Sequence, residues 1–326
     1  MANKNEHQLK CIVLICLFIG ILIPVIYYFD EIKNLISTPG SFIQKFLKAS
    51  QLSNWTLKAF FISITASSIA FLIEIIAVGW QNSGTKRLLN RSKSGKQDLW
   101  CYLLSISNIF DFIVFVSTFG IFYVLTSLLD KYAHFQFTNY LTNPILQFIV
   151  LFIFADFVHY LRHRFNHWGA FWELHAHHHS ATEFNLITTV RGSFWEAGFN
   201  AVFYSLVYLI GGFYIENIVL VHALRDIHLH ICHSNVNWNY GILGKYIFIT
   251  PLDHRLHHSI DKENYDQNYG AVFKWWDLLF KTYKNNKNAQ LEIGIEDKTI
   301  VNSNFFAGQW YVSKQFLKRC INRSID

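Results

Sequence analysis

Apolar residues run along this chain in long blocks rather than alternating with polar ones. Residues 11–29, CIVLICLFIGILIPVIYYF, form the first block and are long enough to span a bilayer as a helix. Lys4 and Lys10 precede it, and Tyr27, Tyr28 and Phe29 close it as an interfacial aromatic belt. No small-residue cleavage site follows, so the block reads as a retained helix and not as a signal peptide. A mixed, amphipathic stretch leads to a second span from about Leu57 to Trp80, with Glu74 inside it. A charge there must face protein or the interface. A third span covers about Leu99 to Leu129, interrupted by Asp111, and a fourth about Tyr140 to Tyr160. Residues 194–221 are apolar again.

Charge orients these blocks. The loop 81–98 carries Lys86, Arg87, Arg91, Lys93 and Lys96 against one acid, Asp98. The positive-inside rule places it in the cytoplasm. Two crossings later the chain returns to that side, where the fourth span runs into His163. Composition agrees: 52% of residues are hydrophobic and 15% charged, against about a quarter charged in soluble domains. The basic residues do not gather with exposed aromatics into a stripe, which gives no case for nucleic acid. The five cysteines include no CxxC pair, so a disulfide framework is not expected.

The polar chemistry is concentrated in histidine. Residues 159–179 hold seven of the 16 histidines, and His254, His257 and His258 form a second cluster. His163 and His167 are four apart and share a helix face. His175, His178 and His179 form an i, i+3, i+4 set, as do His254, His257 and His258, so each triplet is expected to aim three imidazoles at one point. Neutral imidazole suits iron, zinc, copper and nickel. Eight imidazoles exceed the needs of one ion, which predicts two. His159 and His177 fall outside the spacing pattern. Both clusters must meet at one metal centre, so residues 194–221 are expected to form a re-entrant hairpin broken at Gly211-Gly212.

Several motifs occur in order: Asp156-Phe157, His163-Arg164-Phe165-Asn166-His167, Trp172, His175-Ala176-His177-His178-His179-Ser180, Asn185 with Thr188 and Arg191, His233-Ser234-Asn235, Thr250-Pro251, Asn268-Tyr269-Gly270, and Trp276-Asp277-Leu278-Leu279-Phe280-Lys281-Thr282. Together they resemble the fatty acid hydroxylase superfamily, which includes sterol desaturases, and are most like its alkylglycerol monooxygenase and sterol desaturase-like branch. The resemblance covers roughly residues 140–285. One departure is Lys281, where the family usually has glycine. The resemblance implies a di-iron centre at the cytoplasmic face of a helical membrane domain and O2-dependent oxidation of a lipid C–H bond. It adds His233 as a ninth ligand, and helical spacing offers His230, three residues earlier, as a tenth. It also implies a reduced pterin as the external reductant if the alkylglycerol branch applies. No haem or flavin motif is visible, so electrons come from a separate donor.

The predicted architecture is an all-α integral membrane protein, with about four transmembrane helices plus a re-entrant hairpin. A cytoplasmic histidine-rich helical cap holds the dinuclear metal site. Residues 1–139 would form the N-terminal spans and basic loop, 140–285 the histidine-box domain and 286–326 a C-terminal tail. The expected metal ligands are His163, His167, His175, His178, His179, His230, His233, His254, His257 and His258, for two iron ions with zinc as a substitute. Asp156, seven residues before His163, is expected to accept an imidazole N–H. Arg191 could hold a headgroup or an acid, and the resemblance adds Asn185. The predicted activity is hydroxylation of an alkyl, acyl or sterol lipid. A desaturase on the same centre is the alternative. A histidine-rich metal transporter is a distant one, because the spans hold few polar residues.

Overall fold

The computed structural model describes residues 53–90, 92–107, 109, 140–211, 215–285 and 290–322. The expected first span and most of the third lie outside the described residues. Among the described residues the regular elements are helices, joined by isolated antiparallel bridges at Phe248–Phe273 and Ser259–Ile293. The helices are α1 (Ser53–Val78), α2 (Gly84–Leu89), α3 (Lys93–Ile106), α4 (Pro144–Asn166), α5 (Phe171–His179) and α6 (Phe194–Gly211). They continue with α7 (Ile215–Cys232), α8 (Gly241–Tyr246), α9 (Pro251–His257), α10 (Trp275–Leu279), α11 (Thr299–Asn302) and α12 (Phe305–Asn322).

Helix α4 is the axis of the fold. Asn143 caps it by accepting from Ile145 N and Leu146 N at 2.9 and 3.3 Å, and Pro144 follows at the first turn, where a missing N–H costs nothing. Among the described residues it is the one helix long and apolar enough to cross a membrane, with Ile64–Val78 a shorter apolar stretch. Leu151, Ala155 and Val158 pack with Val221 of α7 and Phe203 of α6. Helix α7 also packs along α1. Helices α6 and α7 both pack on α4, and α7 ends at Cys232, directly before His233.

Three local devices aim the functional side chains. Gly169, at φ 61°, makes the left-handed turn that folds α5 back beside the end of α4. Thr250 and Asp253 form a reciprocal capping box at the start of α9, with Pro251 behind the cap. Gly270 sits where a Cβ would meet Phe273 O at 2.8 Å, so its backbone can donate to Asp277 Oδ2 at 2.8 Å. Glu74, the acid inside the second apolar block, is fully buried and accepts from Gly84 N, Thr85 Oγ1 and Asn235 N. It faces protein, as its cost in an apolar setting requires.

Candidate metal centre

Nine imidazoles converge from four helices. His163, His167, His175, His179 and His257 form one group and His178, His233, His254 and His258 a second, with the ligating atoms of each group within 4.8 Å of one another. His167 and His258 cap α4 and α9, and His233 follows α7. Eight of the nine are buried and His167 is half-buried.

The structure corrects the expectation that each triplet aims at one point. Both triplets are divided between the groups. Successive residues on a helix turn by about 100°, so i and i+4 differ by about 40° while i+3 swings about 60° to the other side. His175 and His179 accordingly stay together, and His178 turns to the second group. On α9 the same rule sends His254 and His258 to the second group and His257 to the first. Each triplet thus links the two groups, and His163 with His167, an i, i+4 pair, remains undivided.

The far nitrogen of most rings is held by an acceptor. His163 Nδ1 donates to Tyr269 O at 2.9 Å, His178 Nδ1 to Arg191 O at 2.9 Å, His233 Nδ1 to Leu229 O at 2.8 Å and His257 Nδ1 to Gln267 O at 2.7 Å. His175 Nδ1 donates to Glu196 Oε1 at 2.8 Å. His167 Nδ1 lies 3.6 Å from Asp266 Oδ1. A ring whose Nδ1 carries the proton presents a bare lone pair at Nε2.

The Nε2 atoms face one another, and in the His163–His257 and His178–His233 pairs both rings hold Nδ1 on a carbonyl, so bare lone pairs oppose. His163 and His257 are 3.0 Å apart Nε2 to Nε2, His233 and His254 2.9 Å, His167 and His179 3.1 Å, and His178 and His233 3.4 Å. His175 Nε2 and both nitrogens of His258 are buried without a hydrogen-bond partner among the described residues. Unpartnered buried nitrogens are costly, and opposed lone pairs repel, unless a cation sits between them. The residues therefore fit a pair of metal ions.

Protonation does not supply that cation. Burial, followed by the neighbouring imidazoles, holds His179, His254, His257 and His258 well below the usual imidazole range. Burial and the adjacent His175 act in the same direction on His178. Burial lowers His167 to about 4, against the pull of Asp266. These six rings are held toward the neutral form, the state in which imidazole binds metal.

Other expected site residues are placed elsewhere. His230 lies outside both groups, with Nε2 3.1 Å from Ser67 Oγ and Nδ1 2.6 Å from Asp226 O. Three residues is not a whole turn, so the ring swings off the line of His233 toward α1. Asp156 touches no imidazole. It accepts from Val272 N, Phe273 N and Trp276 Nε1, each at 3.0 Å, and so ties α4 to the loop that presents the Tyr269 carbonyl. His159 and His177 are also outside the groups.

Asn185, Thr188 and Arg191 converge on Asp98. Asn185 Nδ2 and Thr188 Oγ1 donate to Asp98 Oδ2 at 2.6 and 3.0 Å, and Arg191 Nη1 to Oδ1 at 3.0 Å. The segment Leu186–Val190 is a 3-10 helix with three residues per turn, which puts the three on one line. Sequence reading passed over Asp98 and Glu196. The signal for Asp98 was a lone acid in a basic loop, and for Glu196 an acid at the start of an apolar block.

Comparison with known proteins points the same way. Residues 148–282, which contain all nine clustered histidines, match the family model described as fatty acid hydroxylase. The chain is 36% identical over 138 residues to the alkylglycerol monooxygenase of Caenorhabditis elegans, covering 41% of this chain and 26% of that one. It is 30% identical over 154 residues to an ornithine lipid hydroxylase of Rhizobium tropici, covering 47% of this chain and 46% of that one. It is 26% identical over 142 residues to a methylsterol monooxygenase of Aspergillus fumigatus, covering 42% and 47%. The matched stretches therefore span about a quarter to a half of these relatives. No solved structure matches the chain. The resemblance to the fatty acid hydroxylase superfamily, and to its alkylglycerol monooxygenase branch, is borne out.

Proposed function

We propose that this chain is a membrane-bound, di-iron, O2-dependent oxidoreductase that hydroxylates a C–H bond of an alkyl, acyl or sterol lipid. The observation that carries this reading is the pair of all-imidazole groups, each with Nε2 atoms opposed across it, in a segment matched by lipid and sterol hydroxylases. Bound iron would supply the oxidising power that no side chain has, whereas zinc would fill the same site without redox chemistry. His163, His167, His175, His179 and His257 would hold one ion, and His178, His233, His254 and His258 the other. The carbonyls of Tyr269, Arg191, Leu229 and Gln267, with Glu196, keep the protons on the far nitrogens and fix the ring planes.

Two cavities suit the two reactants. One of about 260 Å³, lined by Ser67, Tyr102, His159, Arg162 and Tyr204 among others, adjoins the centre through His159, whose ring is 5.7 Å from that of His163. It would receive the reacting part of the lipid and exclude water. A separate cleft of about 430 Å³ reaches His167, His179 and His257 between Trp172, Lys262 and Asp266. It suits a polar reductant, for which the alkylglycerol branch implies a reduced pterin; a separate electron-donor protein is the other source.

In this reading four helices cross the bilayer and the histidine centre lies on the cytoplasmic face. The pair α6 and α7 forms the re-entrant hairpin. Residues 1–139, 140–285 and 286–326 remain the three proposed divisions. The packing of both α6 and α7 on α4 supports the hairpin, and the apolar length of α4 supports one crossing.

The test is elemental analysis of detergent-purified protein beside His178→Ala, followed by lipid product analysis under 18O2. About two irons per chain, lowered in the variant, with labelled alcohol as product, is the expected result. A double bond without label would make the enzyme a desaturase. Well-folded protein that binds no metal, even after reconstitution with iron, would overturn the proposal.

A further inference from the structure

Helix α12 carries a row of exposed large apolar residues along its outer side. Its inner side packs on the histidine-bearing α5: Val312 joins Ala176 and Ile300, and Phe316 lies 5.6 Å, ring to ring, from Phe171. Phe306, Trp310, Leu317 and Ile321 point the other way and are 57%, 71%, 55% and 64% exposed. Their spacing of 4, 7 and 4 keeps them within about 60° on a helix. A monomeric soluble surface scatters such residues singly and does not align them.

The charge beside this stripe is of one sign. Lys314 and Lys318 flank it, both exposed, and residues 305–322 contain no acid. The stripe also continues onto α3. Trp100 stacks 6.1 Å from Phe305 and lies 6.3 Å from Phe306, and Leu99, Trp100 and Leu103 are exposed beside the exposed Lys96. Those α3 residues open the third apolar block of the sequence, so the patch runs into a segment read as entering the bilayer.

We propose that the outer face of α12 lies in the headgroup layer of the chain's own bilayer, held there by anionic phospholipids. The apolar stripe sits at the acyl boundary and the lysines meet lipid phosphates. An anionic lipid surface fits better than a second copy of the chain, because two copies would bring the lysines of one against those of the other. The helix then acts as a strap. It sets the depth of α5, and with it His175, His178 and His179, relative to the lipid. This rests on the membrane-spanning reading above and extends it to the C-terminal segment.

The test uses the full chain in nanodiscs of phosphatidylcholine with or without phosphatidylglycerol. Tryptophan emission is quenched by a lipid spin-labelled high on its acyl chain, or by aqueous acrylamide. The wild-type chain minus Trp310→Phe isolates one of ten tryptophans. The Trp310 share should be quenched by the spin-labelled lipid and spared by acrylamide. That quenching should strengthen with phosphatidylglycerol, and the gain should vanish in the Lys314→Glu/Lys318→Glu pair. Quenching by acrylamide would place the stripe in water and overturn the proposal. So would resistance to both quenchers with cross-linked dimers, which would make the occupant a second copy. Lipid quenching indifferent to phosphatidylglycerol would overturn the anionic part. A chain that fails to enter the discs overturns the membrane-spanning reading as well, which separates the two failures.

Discussion

Arg191 Nη1 lies 3.0 Å from Asp98 Oδ1 with both side chains fully shielded from solvent. The pair joins α3 to the turn after the second histidine box. Arg191 also donates to Ser94 O, His177 O and Ser180 Oγ, and its own carbonyl accepts from His178 Nδ1. One ion pair therefore fixes the backbone on both sides of His178.

Asp98→Asn should leave the Arg191 guanidinium buried without its counter-charge. Breaking a buried pair from one side costs about 3–5 kcal/mol. The expected result is a lower unfolding temperature in detergent and weaker retention of one metal equivalent under chelator challenge. An unchanged melt would show that Arg191 finds another acceptor.

His230 and His233 are three residues apart and have different fates. His233→Ala removes a ring 2.9 Å from His254 Nε2 and should release metal from the four-histidine group. His230→Ala removes a ring bonded to Ser67 and should keep the full metal complement. Elemental analysis of the two variants side by side checks this.

Lys281 sits at φ 59°, the left-handed region, at the position where the resembling family usually carries glycine. An L-residue there is strained by about 1–2 kcal/mol, partly offset by the greater freedom of glycine in the unfolded chain. The side chain is exposed, so Lys281→Gly loses no packing. It should raise the unfolding free energy by up to about 1 kcal/mol, read as a higher midpoint in denaturant titration.

Acid should unload and destabilise the centre. The unfolded imidazole titrates near 6.5, and the folded His167 near 4. Between those values the unfolded chain binds more protons than the folded one, so stability is full above about 6.5 and is lost as pH falls toward 4. His179 and His257 shift in the same direction. Protons also compete with metal for Nε2. Metal retention measured from pH 7 to pH 4 should fall through this window; retention that is flat to pH 4 would contradict it.

The sequence alone determined the helical class, the apolar blocks and nine of the histidines that come together in the two groups. Residue type and helical period carry that information directly, because imidazoles at i, i+3 and i+4 lie on neighbouring parts of one helix surface. It also singled out Asn185 and Arg191, though not their partner. Only the tertiary structure decided how the histidines divide. The angular difference between i+3 and i+4 matters once α4, α5, α7 and α9 are held at fixed angles to one another. It also decided that His230 turns away, that Asp156 binds backbone N–H groups, and that Asp98 and Glu196 reach the site from distant positions. Four of the acceptors that orient the rings are backbone carbonyls. Every residue has one, so no side-chain pattern can announce which of them a fold will use.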